Sequence, residues 1–451
     1  MPGGVFFGKG ERHTVQRRIL LPIAAAVAEP TSWDALLSSL ASTPRENGSA
    51  ELLATAHWLT EYLRQEGWEA AQHWYTAYPL EQRMLGIALL CGGLGYAMCM
   101  WRHRFGWAAL LALLLPLAAV AQIDLRLPLS WFAPFSQPNV VARLPNREAV
   151  ETLVFSAHLD TKTDLFDHVT RAPILVFAAP AALLMCAVAL GSFVAHQAGN
   201  LSAGRQALAR ILGWIGAIYA LALAAVFSGG ALLSERSPGA LDDGAACAVL
   251  ARLAHELRAT PPQAVEVHLV FFSGEELAAQ GAHALLRSWQ PGNGQRPVRV
   301  VNLDPLGASS EVRVLGSERG FLSGSSPSPE VVAIVDAAHR KLRSSPIETV
   351  ELIGLTDGWA WRRYGYPAAT LFSFVPPFAL PRGLHSKEDH RTRIESSALD
   401  FSLALMETIV RELDRKLLAT GMRGPVRSRN IPTSQQGGER DARHQGSAHA
   451  L

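Results

Sequence analysis

Charged residues are scarce in this chain. Asp, Glu, Lys and Arg make up 18% of its 451 residues, where a soluble protein carries about a quarter. With a positive mean hydropathy of +0.13, this deficit points to a membrane component. The net charge is only +2, so there is no basic footprint for nucleic acid and no strong pull on acidic partners. Cysteine is scarce too. Of the four cysteines, Cys91, Cys99 and Cys186 fall in apolar stretches and Cys247 in a helical pattern. No pair has the spacing of a zinc knuckle or a disulfide framework, so cysteine use leaves the compartment open.

What stands in place of charge is apolar length. Segments 84–100, 105–121, 173–195 and 210–233 are apolar enough to cross a bilayer, and the last two exceed the roughly 20 residues a spanning helix needs. They pair into hairpins, 84–121 and 173–233, the only internal repetition in the chain. The first turns at "WRHRFGW", where Arg102 and Arg104 lie between Trp101 and Trp107, as basic and aromatic residues do at a membrane interface. The second turns at 196–209, with Arg205 inside the turn and Arg210 at its end. Each hairpin returns the chain to the side it left. Residues 31–83, 122–172 and 234–420 therefore share one compartment and can build one domain. Basic turns predict a cytoplasmic location for the turns and an extracytoplasmic one for the domain, in a periplasm or an organelle lumen. Residues 17–30, "RRILLPIAAAVAEP", fit a signal peptide or an amphipathic first helix. The tail 421–451 has few apolar residues and is expected to be disordered.

In the remainder, strand-like runs (138–144, 152–157, 265–272, 298–303, 348–353, 368–374) alternate with helical patterns (50–66, 244–258, 277–289, 329–343, 395–417). Such alternation predicts an α/β domain: a mixed, largely parallel central sheet flanked by helices, with the two transmembrane hairpins inserted into it. Functional residues in such sheets gather at the carboxyl ends of strands. There the sequence places His158 and Asp160, two residues apart and on one side of an extended chain. Both could meet one object, or Asp160 could hold the ring while His158 binds. Glu275 and Glu276 follow the run "VEVHLVFF", where glutamates also complement a helix dipole. Asp304 ends "VRVVNL", and Asp242 and Asp243 precede a helix that needs only one of them as a cap. His385 and Asp389 lie in a late loop. Two imidazoles with several carboxylates suit zinc or a similar divalent ion. The excess over one ion's needs suggests two, sharing a carboxylate.

In order, the chain reads "AHLD", "SPGALDDG", "SGEEL", "NLDPLG" and "HSKED". This series resembles the M28 metallopeptidases, the co-catalytic zinc aminopeptidase family, and more particularly its membrane-bound branch. "STPRENGS", "HWLTEYLRQEGWE" and "TDGWAWRRYGYPAATL" extend the resemblance over most of 31–420 outside the hairpins. The resemblance implies that Asp242 bridges two zinc ions, with His158 and Asp304 completing one site and Glu276 and His385 the other. It further implies that Glu275 is the general base and that Asp160 fixes the tautomer of His158. By the resemblance, Gly358 stands where a histidine is expected, Asp243 where asparagine is common and Ala246 where glycine is usual, and none of them removes a ligand. The expectation is a multi-pass membrane zinc exopeptidase acting on peptides close to the lipid surface, most simply an aminopeptidase. A carboxypeptidase or a glutaminyl cyclase on the same scaffold, or a non-catalytic membrane binding protein, are the alternatives.

Overall fold

The structure, a computed structural model, describes residues 32–289, 296–319, 324–352 and 354–421. The expectations for 17–30 and for the tail beyond 421 lie outside the described residues. The chain opens with α1 (Trp33–Leu40) and α2 (Ala50–Gln65), capped by the Ser32 and Ser49 side chains, and edge strand β1 (Glu69–Ala77). Helices α3 (Glu81–Trp101) and α4 (Phe105–Ile123) follow, then β2 (Phe135–Leu144) and β3 (Glu151–His158). A second helical insert comprises α5 (His168–Val176), α6 (Ala178–Gln197) and α7 (Ala203–Ser228). The chain then runs through α8 (Ala245–Ala259), β4 (Val265–Phe272), α9 (Gln280–Leu286), β5 (Val298–Leu303) and β6 (Val312–Leu315). A small hairpin, β7 (Glu318–Arg319) and β8 (Gly324–Ser325), precedes α10 (Pro329–Arg343) and β9 (Thr349–Val350). Helix α11 (Asp357–Arg363), β10 (Ala368–Ser373) and α12 (Ser396–Ala419) complete it.

The eight-stranded sheet runs β1-β2-β4-β3-β5-β10-β6-β9. Its centre, β4-β3-β5-β10, is parallel, while β1, β2 and the β10–β6 pair are antiparallel. The two-residue period of β3 feeds two cores. Leu153, Phe155 and Ala157 pack with α1, α2, α8, α10 and α12, and Val154 packs with α9 and α11 on the other face. Strand 348–353 shortens to Thr349–Val350. The expected helix 277–289 starts only at Gln280, because Ala278 and Ala279 adopt left-handed conformations. Strand β1 and helices α1 and α11 were not expected.

Four helices are long and apolar enough to cross a membrane: Glu81–Trp101, Phe105–Ile123, His168–Gln197 and Ala203–Leu232. They close a ring in which α3 packs on α4 and α7, and α6 on α4 and α7. Small residues allow the close approach: Gly93 faces Ala220, and Gly216 faces Met185. Leu113, Leu117, Leu183, Leu190, Ile211, Ile215 and Ile218 point outward and are exposed. A buried core hairpin would not leave such a surface, whereas lipid would cover it.

Candidate metal centre

The parallel strands β4, β3 and β5 carry their carboxyl ends to one edge, and register aligns them. His158 lies opposite Phe272, and Ser156 opposite Asn302. His158 at the end of β3, Glu275 and Glu276 just past β4, and Asp304 just past β5 therefore arrive side by side. Asp242 comes from the turn before α8, a helix packed under β3. Neither Asp242 nor Asp243 caps that helix, as one was expected to; its N-cap is Gly244, without a side-chain bond. Both carboxylates turn inward instead.

Asp242 lies between the two histidines. Its Oδ1 is 3.0 Å from His158 Nε2, and its Oδ2 is 3.0 Å from His385 Nε2. Asp304 Oδ1 stands 3.9 Å from His158 Nε2, and Glu276 Oε1 2.7 Å from His385 Nε2. Glu276 Oε1 nonetheless has no hydrogen bond and no exposure to water. It points at the same place as the imidazole rather than at the imidazole. Among the described residues, two groups present ligand atoms within 4.8 Å of one another: His158, Asp242 and Asp304, and His168, Asp242 and His385.

The electrostatics of the site suit a cation. Against the burial that opposes their charge, Asp160 and Asp242 hold the His158 imidazole well above its ordinary value, and Glu276 does the same for His385. Burial pushes Asp304 up to about 8, with Asp242 and Glu276 adding to the rise. Burial, with Asp304 and Glu276 beside it, holds the Glu275 carboxyl well above the usual range. So many buried carboxylates require a positive charge among them, and the nitrogen and oxygen donors suit zinc.

A surrounding layer fixes these groups. The Asp160 carboxylate accepts from the Glu275 and Glu276 amides at 3.2 and 3.1 Å and from Asn47 Nδ2 at 2.6 Å. That carboxylate is 3.7 Å from His158 Nδ1, whereas the Asp160 backbone carbonyl is 3.0 Å away. The acceptor for the ring is thus main chain, and the side chain serves the glutamate turn. Asp164 Oδ2 lies 2.8 Å from His385 Nδ1 and also pairs with Arg171 and Lys162. His385 itself is left-handed, at φ 61°, and the Asp164 amide donates to its carbonyl at 2.9 Å. Asp389 receives the Leu241 and Asp242 amides at 2.7 and 3.3 Å, and so sets the bridging turn.

Several of these partners are not visible in the motifs. Arg45, fully buried, donates to the carbonyls of Leu159, Pro238 and Gly239, tying the His158 loop to the segment leading to Asp242. Gln82 of α3 donates to the Glu276 carbonyl. His168 and Arg171 come from α5, at the head of the second insert.

Two of the departures have physical accounts. A Cβ on Gly358 would lie 2.1 Å from Thr370 Oγ1, so no histidine fits there. Asp243 Oδ2 accepts from the His158 amide, and burial, with Asp304 and Asp242 nearby, holds its carboxyl well above the usual range. A neutral carboxyl has the shape of the asparagine amide it replaces.

Residues 226–410 match the model of peptidase family M28. No curated protein matches the sequence. Among solved structures, the LapA aminopeptidase of Legionella pneumophila is 12% identical with a TM-score of 0.48, over 85% of this chain and 70% of that one. A glutaminyl cyclase of Porphyromonas gingivalis is 15% identical with a TM-score of 0.47, over 85% and 96%. A Zn-dependent exopeptidase of Parabacteroides distasonis is 11% identical with a TM-score of 0.49, over 84% and 96%. The stretch similar to peptidase family M28, residues 226–410, holds Asp242, Glu275, Glu276, Asp304 and His385.

Proposed function

We propose that this is a membrane-anchored zinc exopeptidase that removes N-terminal residues from peptides. Asp242 would bridge two zinc ions, with His158 and Asp304 holding one, and Glu276 and His385 the other. The observation that carries this reading is Asp242, whose two oxygens each stand 3.0 Å from a different imidazole nitrogen. One carboxylate between two donor sets suits a pair of ions rather than one. Bound there, zinc would polarise the scissile carbonyl and make a water molecule more acidic. Glu275 takes the proton of the attacking water and returns it to the leaving amine. A buried carboxyl with raised proton affinity can do both near neutral pH. Asp160 aims Glu275 by holding its amide.

The setting supports substrates at the lipid surface. A cleft lined by Glu276, Thr163, Gln82, Arg83, Phe227 and Ala231 joins the site to the ends of α3 and α7. Gly230 there passes so close to Thr163 that a Cβ would meet its carbonyl oxygen at 1.7 Å. The basic turns at Arg102, Arg104, Arg205 and Arg210 support an extracytoplasmic catalytic domain. The test is hydrolysis of matched peptides, free or acetylated at the N-terminus, soluble or lipid-tethered, by the detergent-purified protein. Cleavage restricted to free N-termini and faster on tethered peptides supports the reading. Release of C-terminal residues, or cyclisation of N-terminal glutamine without hydrolysis, overturns the aminopeptidase assignment.

A further inference from the structure

The second helical insert interrupts the chain between His158 and Asp242, and its first helix begins with a side chain in their neighbourhood. His168, the first residue of α5, stacks edgewise on His385 with ring centroids 4.4 Å apart. One of its ring nitrogens lies within 4.8 Å of ligand atoms of both Asp242 and His385. Asp167 caps the helix by accepting from the Thr170 amide at 2.8 Å, so the ring is presented from an ordered helix start.

Its tautomer follows from its neighbour. Arg171 Nη2 lies 2.7 Å from His168 Nε2. A guanidinium has hydrogens to give and no lone pair to offer, so Nε2 accepts. The neutral ring then carries its proton on Nδ1. Arg171 is itself locked by Asp164, the partner of His385. His168 Nδ1 is buried and has no hydrogen-bond partner in the protein. A buried N–H without a partner is costly, and a protonated nitrogen is no metal ligand. What such a group can serve is an oxygen arriving with the substrate.

Resting on the proposed peptidase reading, we infer that His168 is an oxyanion-stabilising donor. Its Nδ1–H donates to the oxygen of the attacked carbonyl on the His385 side of the centre. The head of the membrane insert thereby supplies a catalytic residue.

The experiment uses the full-length protein in detergent, as wild type and as H168A, H168N and H168Q. The asparagine amide can occupy the Nδ1 position and the glutamine amide the Nε2 position. Readouts are kcat and KM, zinc content, and affinity for a peptide phosphinate that mimics the tetrahedral intermediate. Loss of one oxyanion donor costs on the order of 10²-fold in kcat. The inference expects that loss in H168A at unchanged KM and zinc content, a parallel loss of phosphinate affinity, and recovery by H168N but not H168Q. Unchanged kcat in H168A overturns it. So does loss of zinc in H168A with zinc restored by H168Q, which would make His168 a ligand. If H168A does not fold, the comparison of H168N with H168Q decides alone, since better activity in H168Q contradicts an Nδ1 donor. A wild type that binds zinc but cleaves no peptide removes the functional reading itself. An active wild type matched by H168A removes only this inference.

Discussion

Replacing Asp160 by asparagine separates two roles for that carboxylate. Fully buried, it accepts through Oδ1 from the Glu275 amide, and through Oδ2 from both the Glu276 amide and Asn47. An asparagine must turn one of these positions into a donor. Placing the amide nitrogen at Oδ1 breaks one bond, whereas placing it at Oδ2 breaks two, so the Glu275 amide is the one released. Bonds to a charged group contribute about 1.5–3 kcal/mol each and neutral ones about 1. One bond lost and two weakened, offset by no longer burying a charge, come to a destabilisation of about 2–3 kcal/mol. The His158 ring keeps its backbone acceptor at 3.0 Å, and Glu276 keeps its amide bond. Zinc affinity should therefore change little, while kcat falls by about 10–100-fold as Glu275 loses its aim. Zinc competition with a chelating dye, thermal unfolding and steady-state kinetics on D160N read the three quantities. A variant with wild-type kcat and weakened zinc binding would refute the reasoning and return Asp160 to the role of holding the His158 ring.

Other consequences are as direct. E275Q removes the proposed base without touching the ligands. It should lower kcat by about 10²–10⁴-fold with zinc content intact, and hydrolysis at wild-type rate would exclude the role. D164A deletes the acceptor 2.8 Å from His385 Nδ1 and should weaken zinc binding by about 10–100-fold; an unchanged chelator titration would contradict that. The chelator-treated protein should lose stability as pH rises above about 6.5. His158 and His385 have raised folded values, so their contribution is complete below that pH and is lost as pH passes through them. Asp304, pushed up to about 8, adds a change of the same sign. The slope is at most about 1.4 kcal/mol per pH unit for each group. Zinc should abolish the loss, and a metal-free melting temperature flat or rising from about pH 7 to about pH 9 would refute this account.

The parallel centre of the sheet and the residues at its edge were legible because both rest on local pattern. Continuous β-branched runs made β3, β4 and β5 readable, and their ends carry the polar residues that broke the pattern. Strand β1, "EAAQHWYTA", was not readable, since it is an edge strand with an irregular burial pattern and owes its conformation to pairing with β2. The helix expected at 277–289 begins only at Gln280 because Ala278 and Ala279 are left-handed, a conformation that two alanines do not announce in sequence. Arg45, Asp164, His168 and Arg171 carry no motif. Their meaning comes from contacts far apart in sequence, such as Arg45 with Gly239 and Asp164 with His385, which periodicity does not register.

The most direct test of the central claim is the zinc content per chain of the full-length protein, measured beside D242N. The account predicts about two ions in the wild type, and the loss of at least one with loss of chelator-sensitive peptide cleavage in the variant. A single ion in the wild type, retained in D242N with activity intact, would contradict a carboxylate shared between two metals.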